Sequence, residues 1–164
     1  RQPSTGCCKL MHQLYILRHG QAHMQAPSDE LRELTELGVK QVFNSAQQHL
    51  STIRFDHIFV SPYVRAQQSF AQVKAAQVAF SQTQTVPWIT PDVNTSGAIN
   101  ELAALPGDDL NILLVCHQTF AGRLASQLCD GHEQGMHVDT GAIIHIQTEV
   151  FASQCGIFQN MLIG

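Results

Sequence analysis

Short apolar runs separated by longer amphipathic stretches organise the chain. Leu14-Tyr15-Ile16-Leu17, His57-Ile58-Phe59-Val60 and the segment from Asn111 to Cys116 lack polar–apolar alternation. Runs of this kind and length read as strands covered on both faces. Val86 to Ile89 reads as a third, short strand, with Pro87 placing it at an edge. Ala142 to Gln147 and Ile157 to Ile163 read as a closing antiparallel pair. Between these runs the period changes. After Thr35, a plausible N-cap, the residues Val39, Val42, Phe43, Ala46 and Leu50 recur at helical spacing. Ser61 as N-cap with Pro62 at the first helical position predicts a helix from about Pro62 to about Phe80. Further helices are expected over Ala98 to Leu105 and from a Thr119 cap to about Leu128. Strands alternating with helices predict an α/β protein: a three-layer α/β/α sandwich around a mostly parallel sheet.

Composition narrows the picture. The chain has 164 residues, enough to bury a core without disulfides or a metal, and 44% of them are hydrophobic. Residues 1–10 are polar, small and aperiodic; they are read as a tag remnant or disordered extension, and 11–164 as one domain. The formal net charge is −4, which leaves no basic field for nucleic acid. No run of about 18 apolar residues suggests a membrane span, and no basic-then-apolar leader is visible. The five cysteines, Cys7, Cys8, Cys116, Cys129 and Cys155, have irregular spacing and read as free thiols. A cytoplasmic protein is the expectation. His132 and His137 imitate a zinc helix, but the spacing is wrong and Gly135 interrupts it, so neither metal nor cofactor is expected.

Candidate chemistry lies at three strand ends. Arg18-His19-Gly20 follows the first strand, Ser61-Pro62-Tyr63-Val64-Arg65 the second, and His117 the Asn111–Cys116 strand. Ligands of open α/β sheets sit beyond the carboxyl ends of the strands. Two arginines and two histidines converging there suit a phosphoryl group. Arginine presents a planar charged fork, Arg65 would lie in the first turn of a helix, and a neutral histidine is a nucleophile. Gly20 lets the backbone turn closely around the ligand.

Leu17-Arg18-His19-Gly20, Ser61-Pro62-Tyr63-Val64-Arg65-Ala66 and the late His117 together resemble the motifs of the histidine phosphatase superfamily, the phosphoglycerate-mutase-like proteins. The chain looks most like its SixA-type phosphohistidine phosphatases. Ala22 follows Arg18-His19-Gly20-Gln21, Leu34-Thr35-x-x-Gly38 arrives without a long insertion, and the whole is a bare core without a cap. The resemblance implies that His19 is the nucleophile and that Arg18, Arg65, His117 and Gly20 bind the phosphate. It implies a metal-independent phosphatase acting through a phosphohistidine. The implied substrate is the phosphorylated histidine of a phosphotransfer domain of a sensor kinase in a bacterial phosphorelay. Phosphate, sulfate, vanadate or tungstate would bind between Arg18 and Arg65. Members that place a glutamate after the third strand as general acid are matched here by Asp92, with Glu101 as runner-up. Two departures stand out: Cys116 precedes the second histidine where a Gly or Ser is usual, and position 21 is Gln rather than an acid. The alternatives are a small-molecule phosphomonoesterase of the same superfamily and a phosphate-binding regulatory module without turnover.

Overall fold

The structure, a computed structural model, describes residues 9–164. The expectation of an N-terminal extension therefore lies, for residues 1–8, outside the described residues. Six strands form one sheet: β1 (His12–Arg18), β2 (Arg54–Val60), β3 (Ala79–Thr85), β4 (Asn111–Cys116), β5 (Ile143–Thr148) and β6 (Gly156–Leu162), in the order β3-β2-β4-β1-β5-β6. β3, β2, β4 and β1 pair in parallel, while β5 pairs antiparallel with both β1 and β6. Four helices cover it: α1 (Glu36–His49), α2 (Val64–Ala75), α3 (Thr95–Ala103) and α4 (Phe120–Asp130).

The period-two geometry of the central strands explains the three layers. Leu14, Ile16, Ile112 and Leu114 bury one face of the sheet with Ala98 and Leu102 of α3 and Phe120, Leu124 and Leu128 of α4. Tyr15, Leu17, Leu113 and Val115 bury the other with Val42 and Ala46 of α1 and Ala66, Phe70 and Val73 of α2. Strands apolar on both faces thus meet helices on both faces, as the continuous hydrophobic runs imply.

Three expectations need correcting. The third strand is Ala79–Thr85, and Pro87–Ile89 is a single 3-10 turn. The sequence AFSQTQT carries no apolar alternation because β3 is an edge strand whose residues are mostly exposed. Its backbone pairing with β2 holds it there, and the Pro87 ring, lacking an N–H, starts the turn. For the same reason α2 does not reach Phe80. It ends at Ala75, and Gln77, with φ of 60°, turns the chain into β3. At its other end α2 begins at Val64, with Tyr63 rather than Ser61 as N-cap and no side-chain cap. The remaining boundaries shift by a turn or less. α3 starts early because the Asn94 side chain accepts from the Ser96 amide. α4 stops where Gly131 adopts φ of 80°.

One close approach locks the loop after β1 onto α1. A β-carbon on Gly20 would lie 2.2 Å from the Gly38 carbonyl oxygen, and one on Gly38 would lie 2.0 Å from the Gln21 carbonyl oxygen. The two glycines let backbone meet backbone beside His19. Gly20→Ala is expected to cost about 1–3 kcal/mol in urea denaturation and to displace the Arg18–His19 segment. Unchanged stability would contradict this packing.

Candidate active site

Because β1, β2 and β4 run parallel, their carboxyl ends lie at one edge. The register sets Arg18 beside Cys116 and Val60 beside Val115. Two further backbone bonds extend it, His19 N–H to the Cys116 carbonyl (3.0 Å) and Ser61 N–H to the Val115 carbonyl (3.0 Å). His19, Ser61 and His117 are therefore neighbours before any side chain is considered.

The His19 ring is fixed on both nitrogens. Arg65 Nε can only donate, and it lies 3.2 Å from His19 Nε2. Nε2 is thus the lone-pair nitrogen, and Nδ1 carries the proton that it donates to the Gly20 carbonyl at 2.6 Å. The residue is only 6% exposed. Burial is the main force lowering its pKa to about 4. The Gly20 carbonyl opposes the shift, and the charges of Arg65, Arg18 and Arg32 add to it. His19 is a neutral imidazole at pH 7 whose Nε2 pair accepts from Arg65 Nε.

His117 stands edge-on to His19, ring centres 5.2 Å apart. Burial, and then the charges of His19 and Arg65, lower its pKa to about 2. Its Nε2 is 2.6 Å from Ser61 Oγ, a hydrogen bond that fixes the ring's orientation. Its Nδ1 and Arg18 Nε are buried without a hydrogen-bond partner. Buried polar atoms are ordinarily satisfied, so these two, on side chains that adjoin His19, are left free to meet a bound group. Arg18 is held from behind, its Nη1 donating to the Val138 carbonyl (2.7 Å). Burial lowers its pKa, opposed by the charge of Asp139. Arg65 is the second residue of α2 and only 4% exposed. Gly20 N–H donates to Ser69 Oγ (3.2 Å), which donates in turn to the Arg65 carbonyl (2.7 Å), tying the glycine loop to α2.

Arg18, His19, Gly20, Arg65 and His117 thus come together. Asp92 does not join their hydrogen-bond network. It is exposed and makes no hydrogen bond or ion pair among the described residues. Its loop is pinned by Arg123, which donates to the carbonyls of Val93 (2.9 Å) and Pro91 (3.0 Å). Asp92 is close enough for its charge to act on the Tyr63 phenol. Glu101 is exposed on α3. Cys116 is wholly buried in the core, and burial pushes its thiol up to about 12, so it packs and does not ionise.

Sequence reasoning missed four participants. Ser61 was expected to cap a helix, yet its hydroxyl orients His117. Tyr63 lies edge-on to His117 with ring centres 5.0 Å apart, and the Arg65 guanidinium sits 5.0 Å over its ring. Its place inside the Ser-Pro-x-x-Arg motif was the available signal. Asp29, from the loop between β1 and α1, reaches Arg65 and is held by Arg32 of the same loop, through tertiary packing that carries no sequence signal. Asp29 Oδ2 is 3.1 Å from Arg65 Nη2, and its Oδ1 is 3.1 Å from Arg32 Nη1.

A strand-end histidine beside two arginines and a second histidine, on a mixed α/β sheet, is the arrangement that the resemblance to the histidine phosphatases leads one to expect. The family model of the histidine phosphatase superfamily (branch 1) matches residues 14–86. A relative from Haemophilus influenzae, called phosphohistidine phosphatase SixA homolog, is 38% identical over 124 residues, 70% of this chain and 76% of its own length. The phosphohistidine phosphatase SixA of Escherichia coli is 29% identical over 136 residues, 82% of this chain and 84% of its own. Among solved structures, the protein histidine phosphatase SixA complexed with tungstate superposes with a TM-score of 0.80. It is 26% identical, and the match covers 92% of this chain and 96% of that one. The chain belongs to the histidine phosphatase superfamily.

The neutral, buried histidines have a consequence for stability. An unfolded chain protonates His19 near pH 6.5, the folded protein only near 4. Between those values the unfolded state binds more protons, so stability is full above about 6.5 and falls as pH drops toward 4. His117 acts in the same direction. In melts from pH 7 to 4.5, His19→Gln is expected to flatten the loss of Tm. A slope identical to wild type would show that His19 is not buried neutral.

Proposed function

We propose that this protein is a phosphohistidine phosphatase acting on another protein, through a phosphoryl group carried on His19. The observation that carries the reading is the His19 Nε2 lone pair beside Arg65 Nε, with the adjoining Arg18 and His117 each keeping a buried nitrogen, Nε and Nδ1, without a partner. Arg65 Nε gives up its hydrogen bond to Nε2, and Nε2 attacks phosphorus as the bond from phosphorus to the substrate imidazole breaks. That imidazole keeps the bonding electrons and takes a proton from solvent. Water then attacks the phosphoryl on His19, losing a proton to solvent, and orthophosphate leaves while Nε2 recovers its pair. Arg18, Arg65 and His117 donate to the equatorial oxygens, where charge is concentrated in the loose transition state. The reaction so written needs no metal.

The substrate follows from leaving-group chemistry and from the relatives' names. An imidazole departs far more readily than an alkoxide, so a strong general acid is dispensable. Asp92, exposed and outside the hydrogen-bonded cluster, suits that modest role. The SixA relatives support phosphohistidine as the substrate. The partner we propose is the phosphorylated phosphotransfer domain of a sensor kinase, met in the cytoplasm. No described helix is long and apolar enough to cross a membrane.

Turnover of a phosphorylated phosphotransfer domain should be compared with that of a panel of small phosphate esters, for wild type, His19→Ala and Asp92→Asn. Phosphohistidine is expected to be the preferred substrate, His19→Ala to be inactive, and Asp92→Asn to stay within about tenfold of wild type, below the usual 100- to 10,000-fold of an essential acid. Faster turnover of esters would replace the substrate assignment with a small-molecule phosphomonoesterase. Activity in His19→Ala would refute the mechanism.

A further inference from the structure

Arg65 has two kinds of partner in this site. One set places it: Nε lies on His19 Nε2, Nη1 donates to the Asp29 main-chain carbonyl at 2.6 Å, and the guanidinium stacks over Tyr63. The other is an anion. The Asp29 carboxylate sits 3.1 Å from Nη2, although Asp29 itself is 55% exposed. The arginine does not need this carboxylate to hold its position, because it is buried and held by the first set. What the carboxylate adds is negative charge on the fork that binds the phosphoryl group.

We propose that Asp29 is a built-in competitor for the Arg65 fork. It yields Nη2 to an incoming phosphoryl oxygen and reclaims it as orthophosphate leaves. The proposal deepens the phosphatase reading and rests on it for the role of Arg65. The local structure permits the exchange. Asp29 begins a 3-10 turn (Asp29–Leu31) with no buried residue and no side-chain cap at Ser28, so its carboxylate can swing without opening the core. A second anchor keeps it near: Oδ1 stays with Arg32 Nη1 at 3.1 Å, and Arg32 Nε is tied to the His23 carbonyl at 2.6 Å.

Charge balance gives the competitor its purpose. Arg18, Arg65 and Arg32 all act electrostatically on His19. Asp139 also acts on Arg18, so Asp29 is one of two carboxylates set against three guanidiniums, which face a phosphoryl group of roughly two negative charges. Without Asp29 the cluster would gain one positive charge, which favours retention of orthophosphate. Burial raises the Asp29 pKa, but the hydrogen bonds and charges of Arg32 and Arg65 outweigh this and hold it below the ordinary carboxylate range, so it is ionised at neutral pH. Asp29 is thus a specificity and release residue, and a poor candidate for a proton donor.

Calorimetric titration of tungstate and of orthophosphate into wild type, Asp29→Asn and Asp29→Glu tests this. Asp29→Asn is expected to bind both anions roughly tenfold more tightly, the scale of one charge at a few ångströms in a partly screened site. Asp29→Glu should behave like wild type, and the difference should shrink as salt is raised. In turnover, Asp29→Asn should show a lower KM, stronger inhibition by phosphate and a lower kcat where release limits the rate. Equal or weaker anion binding by Asp29→Asn would overturn the proposal, because the carboxylate would then only position Arg65. The binding arm uses no phosphohistidine. A wrong substrate assignment would leave the tenfold effect in place, and a wrong role for Asp29 would leave phosphohistidine turnover in place.

Discussion

The hydrogen bond from His19 Nδ1 to the Gly20 carbonyl sets the chemistry of the site, because it decides which nitrogen faces the cleft. A histidine free to choose its tautomer would offer a lone pair only part of the time. Here the carbonyl takes the Nδ1 proton and Arg65 Nε takes the Nε2 pair, so one orientation and one tautomer survive. Burial among arginines then keeps the ring neutral. The same cationic surroundings that would bind a phosphoryl group add to burial in keeping His19 unprotonated.

That hydrogen bond depends on the fold several shells away. Gly20 can aim its carbonyl at His19 because it packs backbone-to-backbone against Gly38 at the start of α1. α1 is held in turn by the Thr35 hydroxyl, which accepts from the Gly38 amide. On the opposite side of the sheet, the Val138 carbonyl fixes Arg18. Elements from both layers therefore bear on one strand edge. The parallel register of β1, β2 and β4 brings them there without long loops.

Much of this could be read in the sequence, for identifiable reasons. β1, β2 and β4 are buried on both faces, so their apolar runs had no alternative reading. The residues just past them were placed by the strands' common direction. β3 escaped because an edge strand needs no apolar face. The end of α2 escaped because the Ala- and Gln-rich segment beyond Ala75 would suit a helix equally well. Ser61 shows a different limit. Its hydroxyl has two possible partners, a helix amide and His117, and only the three-dimensional placement of β4 decides between them. Asp29 reaches Arg65 by the folding-over of a loop, which no spacing along the chain encodes.

The chemistry of the site depends most directly on the state of the His19 ring. Nitrogen-15 NMR of histidine-labelled protein, with His19 assigned by comparison with His19→Gln, reports which nitrogen is protonated and at what pH the second proton binds. The expected result is a neutral ring protonated on Nδ1, unprotonated on Nε2, and unchanged on lowering the pH until close to 4. A proton on Nε2, or an ordinary titration near pH 6.5, would contradict it.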